Sequence, residues 1–318
     1  MSAIVVLEVN PNAIPRALLT ILLLDKLKEA KSLLRIITKL FINTKRNEVK
    51  YMVCGLGNIF SNFDVRDYKA HVKTSSNSFP DRFELPVLRI KSQGSVGSCG
   101  AHVLSSIVEF FNYTQHNIKE EMSVGYIYGN RKKSTHKKSG MILREALATL
   151  KEYGDVVNSE FPYNVEMPEA SKKFEAKFDE LFESGYPFRI SAYYRVKTIP
   201  EMKAALRLKY PIAIGIKWYG DMVVKNGVLT TNYKDYKGGH CLLLYGWNEK
   251  GWKVQNSWGK DWGDKGTCII PYDMKIHEAW AVVDNIKGDI KLKKPFSSNI
   301  GKQAAKVINV IGNIKKTI

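Results

Sequence analysis

The spacing of apolar residues changes period about halfway along the chain. In the first half they recur at three and four residues, the spacing that places them on one face of a helix. Ala101, Leu104, Ile107, Val108 and Phe111 predict a helix from 99 to about 114, and Ile142, Ala146, Leu147 and Leu150 predict another over 141–153. Nearer the N-terminus, Pro15 opens a stripe of Leu19, Leu23, Leu27, Ala30, Leu34, Ile37 and Phe41, which reads as an amphipathic helix ending near Phe41. Residues 170–182 read as a charged helix or insertion. From Arg189 onward the apolar residues gather in short runs instead. These predict strands at 190–196, 212–218, 241–247, 252–256 and 266–271, with a helix over 200–209 between the first two. A helical half followed by antiparallel strands is the order of an α+β chain built from two subdomains.

The punctuation between these elements divides the chain. Residues 43–78 turn polar and mixed, and Ser75-Ser76-Asn77-Ser78 reads as a linker. We therefore expect an N-terminal segment over 1–78, a body over 79–284 and a basic tail over 285–318. Within the body, 79–188 is the helical half and 189–284 the β half. The amphipathic helix of the first segment has a stripe to bury. It packs permanently on the body, blocks it as a removable pro-segment, or anchors it to a partner or a membrane surface.

Chemistry concentrates in 91–102, Lys-Ser-Gln-Gly-Ser-Val-Gly-Ser-Cys-Gly-Ala-His, where a turn of small residues runs into Cys99 at the start of a predicted helix. A thiol there sits among unpaired backbone N–H groups at the positive end of the helix dipole, which favours thiolate and makes a nucleophile. Gln93 is placed to reach back over the turn towards the sulfur. Far downstream, Gly239-His240 heads one apolar strand and Asn256-Ser257-Trp258-Gly259 ends the next. Two neighbouring strands would set His240 and Asn256 side by side, the Asn holding one ring nitrogen and aiming the other at Cys99. A zinc site from Cys99, His102, His240 and Cys241 is the competing reading of these residue types. It is disfavoured because Cys241 follows His240 directly in a strand and so points to the opposite face. His102, one helical turn from Cys99, is expected to pack behind the site.

These segments resemble the papain-like cysteine peptidases. Gln93-Gly94-Ser95-Val96-Gly97-Ser98-Cys99 is similar to the family's nucleophile motif, Gly239-His240 to its histidine motif, and Asn256-Ser257-Trp258-Gly259 with Trp262-Gly263-Asp264-Lys265-Gly266 to its asparagine motif. The resemblance covers about 79–284 and implies a helical and a β subdomain with the active site in the cleft between them. It implies Cys99 as nucleophile, His240 as acid–base, Asn256 as its orienting partner and Gln93 as an oxyanion donor. It further implies Gly140, Gly239 and Trp258 as substrate-binding positions, a protein or peptide substrate, and no metal or cofactor. Val96 and Gly100 depart from the best-known members, which have a disulfide cysteine and an aromatic residue there. That combination is closer to a disulfide-poor branch found in bacteria and viruses. Two other functions use the same residues. One is a catalytically silent papain-fold protein docked in an assembly, and the other a peptide ligase that passes the acyl group to an amine.

Composition adds three constraints. The net charge of +18 reads either as a lysine-rich solvated surface with no specific partner or as attraction to nucleic acid, an acidic membrane or an acidic partner with the basic tail as a contact, while no nucleic-acid motif is apparent. Four scattered cysteines, Cys54, Cys99, Cys241 and Cys268, make no disulfide framework and suggest a reducing, intracellular setting, with association to a virus or phage as a further expectation. The apolar run at 17–24 is far short of the roughly 20 residues needed to span a bilayer, and its charged flanks make a poor signal peptide.

Overall fold

The computed structural model describes residues 55–62, 64, 67, 79–131, 139–163 and 180–284. Two compact units, Met1–Val53 and Cys54–Ile318, divide the chain, and only the second contains described residues. The amphipathic helix expected over 15–41, residues 132–138, most of 170–182, Cys54 and the tail 285–318 lie outside them.

The elements begin with β1 (Asn58–Ile59) and β2 (Phe83–Glu84), followed by the long helix α1 (Cys99–His116). Helix α1 is buried on almost all sides through Asn112, polar residues included. It ends where Asn117 turns left-handed at φ 55° and gives its N–H to the Tyr113 carbonyl, while the Ile118 N–H goes to the Asn112 carbonyl. The short helix α2 (Val124–Gly129) starts at Ser123, whose hydroxyl accepts the Tyr126 N–H. Strand β3 (Met141–Ile142) leads into α3 (Leu143–Tyr153), which buries Leu143, Ala146, Leu147 and Leu150. After β4 (Ala192–Arg195) comes α4 (Ile199–Arg207), opened by a reciprocal cap between Thr198 and Glu201. The remaining strands are β5 (Ile212–Tyr219), β6 (Val223–Lys225), β7 (Val228–Thr230), β8 (Tyr236–Asn248), β9 (Gly251–Gln255), β10 (Thr267–Pro271) and β11 (Glu278–Val283).

Apart from β1 and β3, which pair with each other, the strands form one sheet in the order β4-β11-β5-β8-β9-β10-β7-β6, with β2 added against β8. All its pairings are antiparallel except β10 with β7. The architecture is the α+β one expected. Strand β8 is the spine: it is buried from Gly239 to Trp247 and packs against α1. The predicted helices at 99, 141 and 200 and all five predicted strands are present, while α2, β1, β3, the β6–β7 hairpin and β11 were not anticipated. Among the described residues no helix is long and apolar enough to cross a membrane.

A buried ion cluster ties the segment before Cys99 to the helix that follows it. Lys91 Nζ lies 2.8 Å from Glu109 Oε1 and donates to Ser105 Oγ at 2.5 Å and to the Met122 carbonyl at 3.3 Å. Glu109 Oε1 also accepts the Met122 N–H at 2.9 Å and pairs with Arg89 at 3.1 Å. Breaking a buried pair strands the other charge, so Glu109→Ala is expected to cost about 3–5 kcal/mol in a urea titration. Lys237→Ala, which removes only the exposed pair with Asp235, should stay within about 1 kcal/mol. Equal effects from the two substitutions would contradict this account of the core.

Candidate active site

Cys99 is the first residue of α1, and Ser98 caps the helix without a side-chain bond. The sulfur is fully buried, and the backbone N–H of Cys241 donates towards it from β8. This places the thiol beside the residue next to His240. Strands β8 and β9 pair with Leu243 opposite Gln255, which sets His240 and Asn256 on neighbouring strands as expected. His240 Nε2 lies 2.7 Å from Asn256 Oδ1. The same oxygen accepts the Ser257 N–H at 2.8 Å, so the amide presents oxygen to the ring and Nε2 must carry the proton. His240 Nδ1 is left with a free lone pair and has no hydrogen-bond partner among the described residues. A neutral imidazole oriented this way is equipped to accept a proton.

Aromatic rings seal the pair. Trp258 lies over His240 with ring centroids 4.5 Å apart, and Trp218 meets the same ring edge-on at 5.3 Å. Trp258 therefore covers the His–Asn pair. Gln93 is fully buried, and its amide is fixed at both ends. Its Oε1 accepts from Ser257 Oγ at 2.6 Å, while Nε2 donates to the carbonyls of Val96 at 2.7 Å and Gly55 at 2.5 Å. Tyr163 Oη donates to the Gln93 carbonyl at 2.8 Å and lies 2.8 Å from Ser98 Oγ. His102 packs edge-on against Tyr163 with Nδ1 3.0 Å from the Ser98 carbonyl, behind the site as anticipated. The supporting roles of Tyr163, Ser257 and Trp218 were not foreseen. Ser257 stands inside the asparagine motif, and that proximity was the signal available.

The cleft is filled by the protein's own chain. The Gly55 N–H donates to the Gly94 carbonyl at 3.1 Å, and the Gly57 backbone donates towards the Cys99 sulfur. The Gly57 carbonyl accepts the Met141 N–H at 2.8 Å, and β1 pairs parallel with β3, Asn58 opposite Met141 and Ile59 opposite Ile142. These backbones touch: a β-carbon on Gly57 would lie 1.9 Å from the Gly97 oxygen, and one on Gly239 would lie 2.0 Å from the Asn58 oxygen. Gly239 thus lies directly against Asn58 of the segment. Gly140 does so differently, because its own N–H goes to Tyr128 Oη at 3.2 Å and the backbone pairing falls one residue later, on Met141. Further along, Asp67 is gripped by Arg144 at 2.7 Å and Arg195 at 3.1 Å.

Burial corrects one expectation. The Cys99 thiol is pushed up to about 11 by desolvation, with the backbone N–H groups of Cys241, Gly57 and Gly100 pulling the other way. His240 is drawn down to about 4 by burial, opposed by Asn256. A helix terminus is worth only about 0.3–1 kcal/mol, and removal from water can outweigh it several-fold. In this closed arrangement both groups are neutral. The other described cysteines, Cys241 and Cys268, are also free and buried, and burial raises both.

A cysteine at a helix start, a His–Asn pair and a buried amide donor make up a site for thiol-dependent acyl transfer. Comparison with known proteins agrees. The model of papain family cysteine proteases matches residues 76–281, and the chain belongs to that family. It is 29% identical over 202 residues to an uncharacterized peptidase C1-like protein of Acanthamoeba polyphaga mimivirus, spanning 57% of this chain and 63% of that one. It is 26% identical over 206 residues to procathepsin L of Rattus norvegicus, spanning 60% and 59%. The chain therefore covers less than two thirds of these relatives' length. Among solved structures, xylellain, a cysteine protease from Xylella fastidiosa, superposes with a TM-score of 0.65 at 24% identity over 73% of this chain and 97% of xylellain. Digestive procathepsin L 3 of Tenebrio molitor superposes with a TM-score of 0.55 at 17% identity, over 75% and 79%.

In the full chain at pH 7, alkylation of Cys99 is expected to be slow and to climb as pH approaches about 11. Gly57→Val forces a side chain onto the Gly97 carbonyl, displaces the segment and should give fast labelling at neutral pH. A wild-type rate equal to that of Gly57→Val, read by intact mass, would contradict the closed-site account.

Proposed function

We propose that the chain is a cysteine endopeptidase that works through a Cys99 acyl-enzyme and is held closed by residues 55–62. The observation that carries this reading is the use of substrate-type contacts by the segment. The Gln93 amide donates to a segment carbonyl, Gly55, and the Met141 edge takes another, Gly57. With the segment displaced, the Cys99 proton passes to His240 Nδ1 and the thiolate attacks the scissile carbonyl carbon. The Cys99 N–H and the Gln93 amide receive the negative charge that develops on the carbonyl oxygen. Collapse breaks the C–N bond, and the leaving amine takes the proton from His240. Water, giving its proton to His240, then attacks the thioester, releasing the acid and restoring the thiol. Asn256 keeps Nε2 protonated throughout, so that Nδ1 does the work.

The segment itself escapes cleavage for a geometric reason. Gly57 presents its N–H to the sulfur, and its carbonyl is turned to Met141, so its carbonyl carbon is not offered to the thiol. The occupied cleft also suits a catalytically silent member of the family, and the two readings part on whether an opened chain turns over. Gly57→Val is expected to hydrolyse a peptide substrate and Gly57→Val/Cys99→Ala to be inert. Adding Gln93→Ala to the opened chain should cost roughly 10²–10³ in kcat. If Gly57→Val folds, labels at Cys99 and still cuts no peptide, the silent reading stands.

Acid should loosen the segment. Burial raises the Asp67 carboxyl, but the two guanidiniums together hold it below the usual carboxylate range. Its contribution is therefore complete above about 4 and is lost as pH falls through its lowered value. His240, held down to about 4, favours the closed state above the ordinary imidazole value of about 6.5 and withdraws that support on acidification. Hydrogen exchange at residues 55–62, corrected for its intrinsic pH dependence, should accelerate from pH 6.5 to 4. In Asp67→Asn it should already be faster at pH 6.5, and no change in either case would rule the mechanism out.

A further inference from the structure

We infer that Tyr163 is a positioning residue for the reaction: its hydroxyl ties the Gln93 backbone to Ser98 and so fixes the oxyanion donor relative to the helix start that carries Cys99. The inference rests on the peptidase reading above and concerns how its oxyanion donor is held.

The hydrogen bonds assign each proton in this link. The Gln93 carbonyl only accepts, so the Tyr163 hydroxyl gives it its one proton at 2.8 Å. Tyr163 Oη is then left to accept from Ser98 Oγ, which lies 2.8 Å away. The Ser98 carbonyl likewise only accepts, so His102 Nδ1, 3.0 Å from it, carries the ring proton. Nδ1 therefore has no lone pair for the Ser98 hydroxyl, 3.3 Å away, and leaves that hydroxyl to Tyr163. The result is a one-way link from Ser98 through Tyr163 to Gln93. Burial pushes Tyr163 up to about 12 and draws His102 down to about 3, so neither gains or loses a proton near neutral pH.

The link takes the place of a helix cap. A serine before the first turn ordinarily accepts one of that turn's N–H groups, but the Ser98 side chain makes no such bond. Its hydroxyl is turned to Tyr163, and the Gly100 N–H is left to donate towards the Cys99 sulfur.

At the other end, Gln93 is anchored mainly to Ser257. Its N–H goes to the Ser257 carbonyl at 2.9 Å, and its Oε1 accepts from Ser257 Oγ at 2.6 Å. Those bonds set it relative to Asn256 and His240, not to Cys99. The turn between Gln93 and Cys99 adds a longer bond, from the Val96 N–H to the Gln93 carbonyl at 3.4 Å. The shorter Tyr163 bond to that carbonyl therefore holds the distance to the helix start. One hydrogen of Gln93 Nε2 is kept by the Val96 carbonyl at 2.7 Å, and the other points into the cleft, where the Gly55 carbonyl takes it. An oxyanion has to meet this second hydrogen and the Cys99 N–H together, and a displacement of about 1 Å can cost on the order of 10²-fold in rate.

The rival account is a ring that only fills space. The Tyr163 N–H goes to Asn158 Oδ1 at 3.2 Å, and His102 meets the ring edge-on with centroids 4.9 Å apart. Phenylalanine would keep both contacts and lose only the hydroxyl.

The test uses the full-length chain opened by Gly57→Val, or by Asp67→Asn should the first not fold, with kcat and KM measured on one peptide substrate. Adding Tyr163→Phe should lower kcat roughly tenfold and leave KM within about twofold, because the donor acts in the transition state. In an opened chain that already carries Gln93→Ala, the same change should cost less than about twofold, since the group it positions is absent. Ser98→Ala cuts the link at its other end and should lower kcat in the same way; it decides by the same comparison if Tyr163→Phe does not fold. An unchanged kcat, or an equal loss with and without Gln93, overturns the inference and leaves the peptidase reading intact. An opened parent that folds, labels at Cys99 and cuts no peptide overturns the two together.

Discussion

The arrangement depends on a contact between two stretches of backbone that have no side chains to separate them. Gly57 lies against Gly97 so closely that any β-carbon on it would overlap the Gly97 carbonyl, and the chain on either side is laid across Gly94, Met141 and Gly239. This contact shuts water out from Cys99 and His240. Exclusion of water, more than any single hydrogen bond, sets their chemistry, because the charged form of each is penalised by burial. The helix terminus that would lower the thiol in a wet cleft is still present. It is outweighed here by the burial of the thiol.

Strand β8 lets one element serve two purposes. Consecutive residues of a strand face opposite ways, so His240 turns towards Asn256 and the tryptophans while Cys241 turns towards Gly215 and Glu278. The His240–Asn256 pair and the row of Cys241, Gly215 and Glu278 are therefore built on two faces of a single buried strand. Their relative position is fixed by the sheet, since β8 is flanked by β5 on one side and β9 on the other. A shift of register by one residue would exchange the two faces and destroy both.

What the sequence made legible were features with local signatures. The periodicity of α1 and α3, the apolar runs of β5, β8, β9 and β10, and the residues Cys99, His240, Asn256 and Gln93 all declare themselves within a few positions of one another or in short motifs. Asn226 and Gly227, with φ 50° and 77°, form the tight turn of the β6–β7 hairpin, and that dipeptide was an available signal left unread. Residues 55–62 had no such signal. Their two-residue strand carries no period, and Asn58 meets its partner 220 residues away. Glu278 sits at the head of an apolar run, Glu-Ala-Trp-Ala-Val-Val, where a lone carboxylate reads as the polar end of a strand. Its meaning arises only from the register that sets it beside Gly215. The thiol was misjudged for a related reason: a helix start can be read locally, but the burial that overrides it comes from a distant segment.

The closing segment imitates a substrate in its backbone and departs from one where it meets the thiol. Over the sulfur it offers an N–H where a substrate offers a carbonyl carbon, so it binds without reacting. Beside Gly215 its Asn58 amide donates to Glu278, and the Asn58 oxygen is left without a partner among the described residues. An unsatisfied buried acceptor costs about 1–3 kcal/mol. That cost lowers the stability of the closed state without abolishing it, because Asp67, Arg144 and Arg195 hold the segment from a separate point. The grip and the imperfection thus lie in different places. Loosening the outer ion pairs leaves the segment held by the incompletely satisfied Asn58 amide and by its backbone contacts.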